Sequence, residues 1–501
     1  MTTDPGPIRP DDVDDLVSQR LRKLNELRAR GIEPYPATFA RTIVNGEAVE
    51  RFDELADTDV SVAGRIVSRR IMGRASFSHI ADVTGRVQLF LKEDIVGDET
   101  YTTYRDLFDV GDFVGATGRL MKTRAGEVSV EVKSLKLLAK SLRPLPEKWH
   151  GLTDVETRYR QRYLDLIANP HVRRIFQIRS ATVSAMRSFL EDRGFIEIET
   201  PVLQPVYGGA MARPFTTYHN ELERGLYLRI ATELYLKRAI VGGLDKVFEV
   251  GRVFRNEGID TTHNPEFTVL ETYEAYASYL DVMSMVEDMI CAVARRVLGS
   301  ATVKFADTAL NFQPPWRRIS LRDAILEQTG LDISANLELD DLRCKAQAIG
   351  VHLDPAASRG KIIDELLSVK VEPTLIQPTF VVDYPIELSP LAKRKPNDPR
   401  FVERFEAYAA GVEFANAFSE LNDSIEQRAR FLDQVEAKAA GDEEAHVLDE
   451  EFIEALEHGM PPTGGSGIGV DRIVMLLTDQ RSIREVILFP LLRDPGAPGQ
   501  R

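Results

Sequence analysis

The residues best suited to chemistry lie in the stretch 247–276, which reads VFEVGRVFRNEGIDTTHNPEFTVLETYEAY. Its first and last thirds alternate apolar and polar residues, which predicts two antiparallel strands joined by a long polar loop. Arg255 stands where the first strand ends, and Phe267, Glu271 and Tyr273 share one face of the second. A planar guanidinium can bind phosphate oxygens, and an aromatic face can stack on a purine. A surface hairpin with solvated charges is the alternative.

A second group of charged residues lies in RFEAYAAGVEFANAFSELND, at 404–423. On a strand, Asn416 and Glu420 share one face. Glu406 and Glu413 lie on two separate strands that a turn brings together. Two neighbouring carboxylates repel each other unless a cation lies between them, and oxygen ligands suit Mg²⁺ held against phosphates. Strict alternation directs Glu413 away from Asn416 and Glu420, so this arrangement requires a bulge or a twist that the sequence does not show.

Glycines mark two further segments of interest. In GGSGIGVDRIVMLLTD, a glycine-rich run passes into an apolar helix with Arg472 in its first turn, a pattern compatible with phosphate binding but not specific for it. The segment YGGAMARPF is a loop that can bring bare backbone close to a ligand. Glu233, in the helix predicted after this loop, has the spacing to pair with Lys237, and an exposed ion pair is the simplest interpretation.

The region that precedes these segments predicts a small β-barrel. Residues 58–138 contain short β-type runs separated by glycines, with a helix-compatible piece at 99–109, and this pattern is typical of a five-stranded OB-type barrel. Such barrels bind single-stranded nucleic acid by stacking bases on aromatic side chains over a basic groove. Phe77 could stack on a base and Gln88 could read its edge. An ordinary barrel with Phe77 in its core is the alternative.

Composition excludes several classes of protein. The 501 residues carry a net charge of −15, which argues against indiscriminate nucleic-acid binding. No apolar run of 18 or more residues occurs, and the first residues lack the basic start and apolar segment of a signal peptide, so we expect no membrane association. The two cysteines, Cys291 and Cys344, form no CxxC motif and argue against a disulfide framework or a zinc site. These features favour a cytoplasmic protein.

Three segments resemble the signature motifs of class II aminoacyl-tRNA synthetases. FRNEG, HNPEF and LETY, within 254–273, closely resemble the second motif, above all in the lysine-specific members. The glycine-rich run before Arg472 resembles the third motif. The predicted helix 172–193 and the strand FIEIETPVL that follows it resemble the first motif, which implies a homodimer interface. The barrel segment RRIMGRASFSHIADVTGRVQLFLK is similar to the anticodon-binding barrel of the same lysine-specific enzymes.

The resemblance implies roles for individual residues. It implies ATP binding by Arg255, Glu257, His263, Asn264, Phe267, Glu413 and Arg472, with Arg255 and Arg472 as the catalytic cations. It implies lysine binding by Gly209, Glu233, Glu271, Tyr273, Asn416 and Glu420. It implies that Glu406 and Glu413 hold the Mg²⁺ that accompanies ATP. In the barrel it implies anticodon contacts by Phe77, Gln88 and Glu127.

The fold implied is α+β and multidomain. An N-terminal OB-fold β-barrel is expected before a class II catalytic domain, an antiparallel sheet flanked by helices. We expect a basic helical extension at 1–57, the barrel at 58–142, a hinge at 143–170 and the catalytic domain at 171–501. A helical insertion at about 322–372 interrupts the strand pattern of the catalytic domain, without a catalytic signal of its own.

The function implied is ATP-dependent activation of L-lysine to lysyl-adenylate and transfer to the 3′ end of lysine tRNA. A related class II ligase is the nearer alternative: an aspartyl or asparaginyl synthetase, or a paralogue that attaches lysine-type groups to a protein. Aspartate enzymes need cationic side-chain readers where this chain has Glu233 and Glu420, and the paralogue lacks the barrel. A tRNA-binding regulator with an inactive catalytic domain is the more distant alternative.

Overall fold

A computed structural model describes residues 10–146, 152–335, 338–355, 357–439 and 445–493. The chain divides into two compact units, Met1–Thr153 and Asp154–Arg501. The expected hinge spans this division, and its residues 147–151 lie outside the described residues, as do residues 1–9 of the expected extension. No helix in the described ranges is both long enough and apolar enough to cross a membrane.

The first unit contains a closed five-stranded barrel. Its strands are β1 (Asp59–Met72), β2 (Ala75–Ala81), β3 (Arg86–Lys92), β4 (Phe113–Lys122) and β5 (Val128–Ala139), paired in the order β1-β2-β3-β5-β4. Its helices are α1 (Pro10–Ala29), α2 (Asn45–Glu50), α3 (Phe52–Leu55), α4 (Glu93–Val96) and α5 (Asp98–Leu107). Buried residues alternate along β2, so every second side chain joins the barrel core and the others face outward. The predicted OB-type barrel is therefore confirmed.

The second unit is built on an eight-stranded sheet. Strands that follow the barrel are β6 (Ile196–Glu197), β7 (Leu203–Gln204), β8 (Thr216–His219), β9 (Arg224–Leu228), β10 (Lys246–Phe254), β11 (Glu266–Ala275), β12 (Thr302–Phe305), β13 (Thr308–Asn311), β14 (Arg317–Ser320), β15 (Thr379–Pro385), β16 (Phe401–Ala409), β17 (Val412–Ser419) and β18 (Thr463–Gly469). The sheet has the order β14-β15-β16-β17-β18-β11-β10-β6. Neighbours are antiparallel except at its two edges, where β14 pairs with β15 and β6 with β10 in parallel. Of the predicted strand FIEIETPVL, only Ile196 and Glu197 form β6, and its last residue, Leu203, begins β7.

Helices pack against both faces of this sheet. The described helices of the second unit are α6 (Val155–Arg160), α7 (Arg162–Ala168), α8 (Pro170–Glu191), α9 (Glu233–Val241), α10 (Tyr279–Leu298), α11 (Leu321–Thr329), α12 (Leu339–Ala348), α13 (Arg359–Leu366), α14 (Ser424–Ala439), α15 (Glu450–Glu457), α16 (Val470–Leu477) and α17 (Ile483–Val486). Met186 of α8, Val286 of α10 and Val474 of α16 pack with Leu270 of β11 in the main hydrophobic core. Since side chains alternate along a strand, Glu271 is directed to the opposite face.

The expected interruption of the strand pattern is helical. It comprises α11, α12 and α13, followed by a π-helical segment at Leu367–Val371 and a 3₁₀ turn at Glu372–Thr374. These helices pack against β14, β15 and β16 in a second hydrophobic core, in which Ile325, Leu342 and Ile362 are fully buried. The predicted α+β architecture, an antiparallel sheet flanked by helices, is confirmed.

Candidate active site

A cavity of about 520 Å³ opens in the second unit along strands β11, β16, β17 and β18. Every residue expected to bind ATP, lysine or magnesium lines it: Gly209, Glu233, Arg255, Glu257, His263, Asn264, Phe267, Glu271, Tyr273, Glu406, Glu413, Asn416, Glu420 and Arg472. These residues come from segments more than 260 positions apart in the chain. The fold thus brings all of them together around one space.

The hairpin of β10 and β11 forms one end of the cavity. The two strands pair in antiparallel register from Lys246 opposite Glu274 to Phe254 opposite Glu266. Arg255 follows β10 directly, as the alternation predicted, and its guanidinium carbon lies 5.1 Å from the centroid of the Phe267 ring. Its Nε donates to a backbone carbonyl at 3.4 Å, and no carboxylate within the described ranges forms an ion pair with it. This cation is therefore free to bind an anionic ligand.

The loop of the hairpin adds polar groups at the same end. Glu257 is exposed on this loop, and the Nδ1 atom of His263 lies 2.9 Å from Asp260 Oδ2. Asn264 is buried, and its Nδ2 donates to the carbonyl of Glu266 at 2.7 Å. Its Oδ1 has no hydrogen-bond partner in the described structure. A buried acceptor of this kind requires a donor from a ligand or from water, and the amino group of a purine has that chemistry.

A β-bulge places the acidic residues of β16 and β17 on one face. Glu406 pairs with Asn416, whereas Tyr408 pairs with Glu413, and the register shifts between them. Phe414 is the extra residue of β17, so Glu413 returns to the face of Asn416. The sequence analysis required an irregularity of this kind for Glu413 to lie on the same face as Asn416, and the bulge is that irregularity. Alternation alone could not reveal it, because a bulge adds one residue without a sequence signal of its own here.

Glu406 is held by side chains that the sequence analysis did not identify. The hydroxyls of Tyr384 and Tyr408 both donate to its Oε2, the former at 2.7 Å, and Arg404 donates to its Oε1. Arg404 also donates through Nε to Asn416 Oδ1 at 3.0 Å. Burial raises the pKa of Glu406, and the Arg404 guanidinium opposes that rise. Arg404 and Tyr408 lie two positions on either side of Glu406, so strand alternation could have indicated them.

Glu413 forms an ion pair with Arg472 at the start of α16. The Nη1 atom of Arg472 lies 2.8 Å from both the side-chain Oε2 and the backbone oxygen of Glu413. Burial raises the pKa of Glu372, at the end of the helical insertion, to about 7, and the charges of Glu413 and Glu406 add to this effect. The insertion therefore brings a carboxyl group close to these two residues, which the sequence did not indicate.

The donor set fits a hard divalent cation that retains other ligands. Glu406 and Glu413 offer carboxylate oxygens on one face, and the described residues contain no cluster of three or more side chains arranged to hold a metal alone. Mg²⁺ commonly binds through one or two carboxylates, with water and phosphate oxygens completing its octahedral shell. A magnesium ion accompanied by a nucleotide is consistent with this chemistry.

The other end of the cavity is strongly acidic. Glu271 accepts a hydrogen bond from the backbone N–H of Thr232 at 3.0 Å, and the Tyr273 hydroxyl donates to its second oxygen at 3.3 Å. Burial raises the pKa of Glu271 to about 7, and the nearby Glu233 carboxylate also raises it. Glu420 is 1% exposed, and burial raises its pKa far above the usual value. Buried carboxylates of this kind favour a cationic ligand.

Two glycines make room for this acidic end. Gly209 has φ +87°, and a Cβ there would lie 2.9 Å from the Cβ of Ala231 and 3.0 Å from that of Glu233. A Cβ on Gly465 would overlap Glu420 Oε1 and the Tyr273 ring. The glycine-rich run at 464–469 is therefore required to leave space for Glu420 and Tyr273, in addition to leading into α16.

The ion pair between Glu233 and Lys237 exists, but its expected exposure is wrong. The two groups lie 2.5 Å apart, and their side chains are 8% and 0% exposed. Lys237 also forms an ion pair with Glu420. The i,i+4 spacing correctly indicated the contact, but spacing on a helix does not tell which face packs against another element.

The first unit carries a separate cluster on the outer surface of its barrel. Phe77 is half-buried outside the barrel core and stacks on Phe90, with ring centroids 4.6 Å apart. The alternative of a core Phe77 is therefore wrong. Gln88 Nε2 donates to Glu127 Oε2 at 2.6 Å, and the other Glu127 oxygen lies 2.7 Å from His79 Nε2. His79 lies two positions after Phe77 on β2, so alternation could have included it.

Comparisons with known proteins assign the family. The model of class II tRNA synthetases (D, K and N) matches residues 154–493, and the model of the OB-fold nucleic acid binding domain matches residues 60–138. The chain therefore belongs to the class II tRNA synthetases.

The relatives share one activity by name. The chain is 56% identical to the lysine–tRNA ligase of Roseiflexus castenholzii, over 96% of this chain and 99% of that protein. It is 54% identical to the lysine–tRNA ligase of Carboxydothermus hydrogenoformans with the same coverage. It is 51% identical to the lysine–tRNA ligase of Dehalococcoides mccartyi, over 97% of this chain and 99% of that protein.

Proposed function

We propose that this chain activates L-lysine with ATP to give lysyl-adenylate, and then transfers the lysyl group to the 3′ end of lysine tRNA. The observation that carries the proposal is one cavity with an aromatic ring, Phe267, and a cation without an ion pair among the described residues, Arg255, at one end and three buried carboxylates at the other. Relatives named lysine–tRNA ligase over nearly the whole chain support it.

The activation step requires positioning and charge stabilisation rather than a general base. The lysine carboxylate is already an anion at neutral pH, and it attacks the α-phosphorus of ATP as the bond to pyrophosphate breaks. Arg255 and Arg472 supply positive charge to the phosphates, and Phe267 packs against the adenine. Glu257, His263 and Asn264 complete the ATP pocket. Mg²⁺ held by Glu406 and Glu413 would neutralise part of the phosphate charge.

Recognition of lysine follows from the acidic end. Glu233 and Glu420 bind the ε-ammonium with Tyr273 beside them, and Glu271 and the backbone of Gly209 bind the α-ammonium. Asn416 binds the lysine carboxylate. A buried charge has to be paired, so these carboxylates reject aspartate and leucine side chains alike. This argues against the aspartyl and asparaginyl alternatives.

The presence of the catalytic groups argues against an inactive regulator. Arg255, Arg472, Glu406 and Glu413 all line the cavity. The barrel argues against the protein-modifying paralogue. The remaining candidate is the lysine ligase.

The proposal is tested by amino-acid-dependent ATP–pyrophosphate exchange without tRNA, run separately with each of the twenty amino acids. We expect exchange with lysine alone. Exchange with a different amino acid would contradict the assignment of the acidic end, and the absence of exchange with every amino acid would contradict the ligase function itself.

Glu271 makes lysine activation sensitive to pH. Its pKa of about 7 means that the carboxyl is mostly protonated at pH 6 and mostly ionised at pH 8. Only the carboxylate pairs with the α-ammonium, so kcat/KM for lysine should rise about tenfold per unit below pH 7 and level off above it. Exchange rates measured at subsaturating lysine from pH 5.5 to 8.5 check this.

Glu372 provides the matched control for this pH profile, because its pKa is also raised to about 7 by burial and by Glu413. The Glu372→Gln variant should retain the inflection in kcat/KM for lysine. If the inflection disappears in that variant, the assignment to Glu271 is wrong.

The barrel is proposed to bind the anticodon of the tRNA. Phe77 stacks on a base, while Gln88 and Glu127, already joined by a hydrogen bond, contact base edges. Phe77→Ala should lower kcat/KM for lysine tRNA by about 10–100-fold, since one base–aromatic stack contributes ~1–3 kcal/mol. Exchange without tRNA should remain at the wild-type rate.

The control for Phe77 is Phe113→Ala, which removes another partly exposed ring of the same barrel, one that packs under Arg65. Charging of tRNA by this variant should match the wild type. Equal losses in the two variants would indicate damage to the barrel rather than loss of an anticodon contact.

We further propose a homodimer located in the cytoplasm. The strands near the segment that resembles the first motif, and the loops beside them, expose large apolar side chains: Ile196, Val202, Leu203, Tyr218 and Leu222. A group of exposed apolar residues is typical of a subunit interface, and a particle of two 56.2 kDa chains in sedimentation would support it. Both cysteines are free, in agreement with a reducing compartment.

A further inference from the structure

Lys237 lies behind the acidic end of the cavity, in contact with two of the carboxylates that line it. It lies on α9 and is completely buried. Its Nζ atom contacts Glu233, one turn earlier on the same helix, and Glu420, which follows β17. Lys237 therefore joins the two carboxylates that are proposed to bind the ε-ammonium of the substrate.

Glu420 retains binding capacity that Lys237 does not use. Lys237 forms its ion pair with Glu420 Oε2, and Oε1 has no hydrogen-bond donor within the described structure. Glu420 lines the cavity and is 1% exposed, so this oxygen is buried beside the ligand space. An unpaired buried carboxylate oxygen is costly unless a ligand supplies a donor. An alkylammonium group fits this requirement.

Counted over the three carboxyls of the acidic end and Lys237, the charges balance when lysine is bound. Glu233, Glu271 and Glu420 carry three negative charges when ionised, and Lys237 supplies one positive charge. The two ammonium groups of lysine would supply the other two, while its carboxylate is directed to the ATP end. The pocket therefore requires a substrate with two cationic groups, provided that all three carboxyls are ionised.

Among the described groups near Glu233 and Glu420, Lys237 is the principal cation. Burial lowers the pKa of His446 to about 4, and the charges of Lys237 and Lys438 also lower it, so His446 is neutral. The aromatic rings of Phe418 and Phe452 lie 5.4 and 6.0 Å from Lys237 Nζ. No other cation of the described residues forms an ion pair with Glu233 or Glu420.

More distant groups also affect the two carboxylates. The Arg404 guanidinium acts on Glu233 without contacting it, since its hydrogen bonds go to the side chains of Glu406, Asn416 and Ser389 and to the carbonyl of Leu388. The Tyr273 hydroxyl remains protonated, because burial and the carboxylates around it raise its pKa well above the usual value. Neither group can replace the direct contact of Lys237.

We propose that Lys237 is a positioning residue for lysine specificity, which favours the ionised forms of Glu233 and Glu420 and leaves their remaining oxygens to the ε-ammonium of the substrate. This inference rests on the proposed lysine ligase function and deepens it. Burial raises the pKa of both carboxyls, and the Lys237 ammonium lowers them against that rise. Without Lys237, burial and mutual repulsion favour protonation, and a neutral carboxyl binds an ammonium group poorly.

The test is Lys237→Met, which keeps the length of the side chain and removes its charge. We expect KM for lysine at pH 7 to rise by at least ~30-fold, because one partner of a buried ion pair is lost. The kcat value should stay within about threefold, since Lys237 contacts no reacting group. The KM defect should shrink as the pH rises toward 9, because Glu233 and Glu420 then ionise without help.

Two further measurements separate this role from a structural one. Calorimetric titration of lysine, without ATP, should show the same loss of affinity and the same recovery with pH. Lys237→Gln keeps a hydrogen-bond donor without the charge and should behave like Lys237→Met. Lys246→Met removes a partly exposed ion pair with Glu274 and controls for the substitution itself.

Several outcomes would overturn the inference. An unchanged KM for lysine, a pH-independent defect that affects kcat equally, or wild-type behaviour of Lys237→Gln would each exclude the charge of Lys237 as the cause. Exchange by the wild-type protein with lysine alone tests the proposed function separately. If that exchange occurs and the Lys237 variants show no KM effect, only the role of Lys237 fails.

Discussion

Glu420→Gln is expected to lower kcat/KM for lysine in ATP–pyrophosphate exchange by at least ~100-fold, because an uncompensated buried charge costs about 3–5 kcal/mol. Glu420 is 1% exposed and contacts Lys237 through one oxygen, while its other oxygen has no donor in the described structure. The amide leaves Lys237 with one carboxylate instead of two. The substrate ammonium then enters a site with too little negative charge.

Glu233→Gln should have an effect of similar size. Glu233 is 6% exposed and lies 2.5 Å from Lys237 Nζ. In both variants the KM for ATP should stay within about threefold of wild type, because the ATP end of the cavity is built from other residues. The measurement is the exchange rate as a function of lysine and of ATP separately.

The control for these two variants is Glu274→Gln. Glu274 lies on β11 and forms a partly exposed ion pair with Lys246, so its replacement should leave lysine activation unchanged. Wild-type kinetics in Glu420→Gln or in Glu233→Gln would show that the residue concerned does not bind the ε-ammonium. An equal loss for lysine and ATP would indicate damage to the fold instead.

Strand alternation accounts for what the sequence could predict of this site. The hairpin at 247–276 alternates clearly, so the antiparallel register of β10 and β11 and the shared face of Glu271 and Tyr273 followed from local pattern. Arg255 could be placed because it follows the last alternating residue. The barrel was predictable for the same reason, from short runs separated by glycines.

The remaining features depend on how distant elements meet. The bulge at Phe414 decides whether Glu413 faces the cavity, and it is defined by pairing with β16 rather than by the sequence of β17. The burial of Lys237 depends on the segment after β17, which lies more than 170 residues further along the chain. The position of the Glu372 carboxyl near Glu406 and Glu413 depends on how the helical insertion packs against the sheet. Local patterns contain none of this information.

Arg255→Ala is expected to reduce the exchange rate at saturating lysine and ATP by about 10²–10³-fold, the usual effect of removing one group that stabilises charge in a transition state. Arg255 is the cavity cation that lacks an ion pair among the described residues, so its charge is available to the phosphates. Its guanidinium also lies over Phe267, which aligns the cation with the ring proposed to pack against adenine.

The Arg255→Ala variant is expected to be nearly as stable as the wild type, which strengthens this test. The Arg255 side chain forms one hydrogen bond with the described structure, to a backbone carbonyl at 3.4 Å, so its loss should change the melting temperature little. Arg252→Ala is the matched control: Arg252 precedes it on β10, is exposed and pairs with Glu266 at 3.2 Å. That variant should keep wild-type exchange.

Arg472→Ala should differ from Arg255→Ala in a way that separates the two cations. Arg472 is bound to Glu413 through two contacts of 2.8 Å, so its removal leaves a carboxylate unpaired near Glu372 and Glu406. We therefore expect Arg472→Ala to lower the melting temperature as well as the exchange rate.

Exchange within tenfold of wild type in Arg255→Ala would show that the Arg255 guanidinium does not act on ATP. The phosphate charge would then have to be balanced by Arg472 and the metal alone.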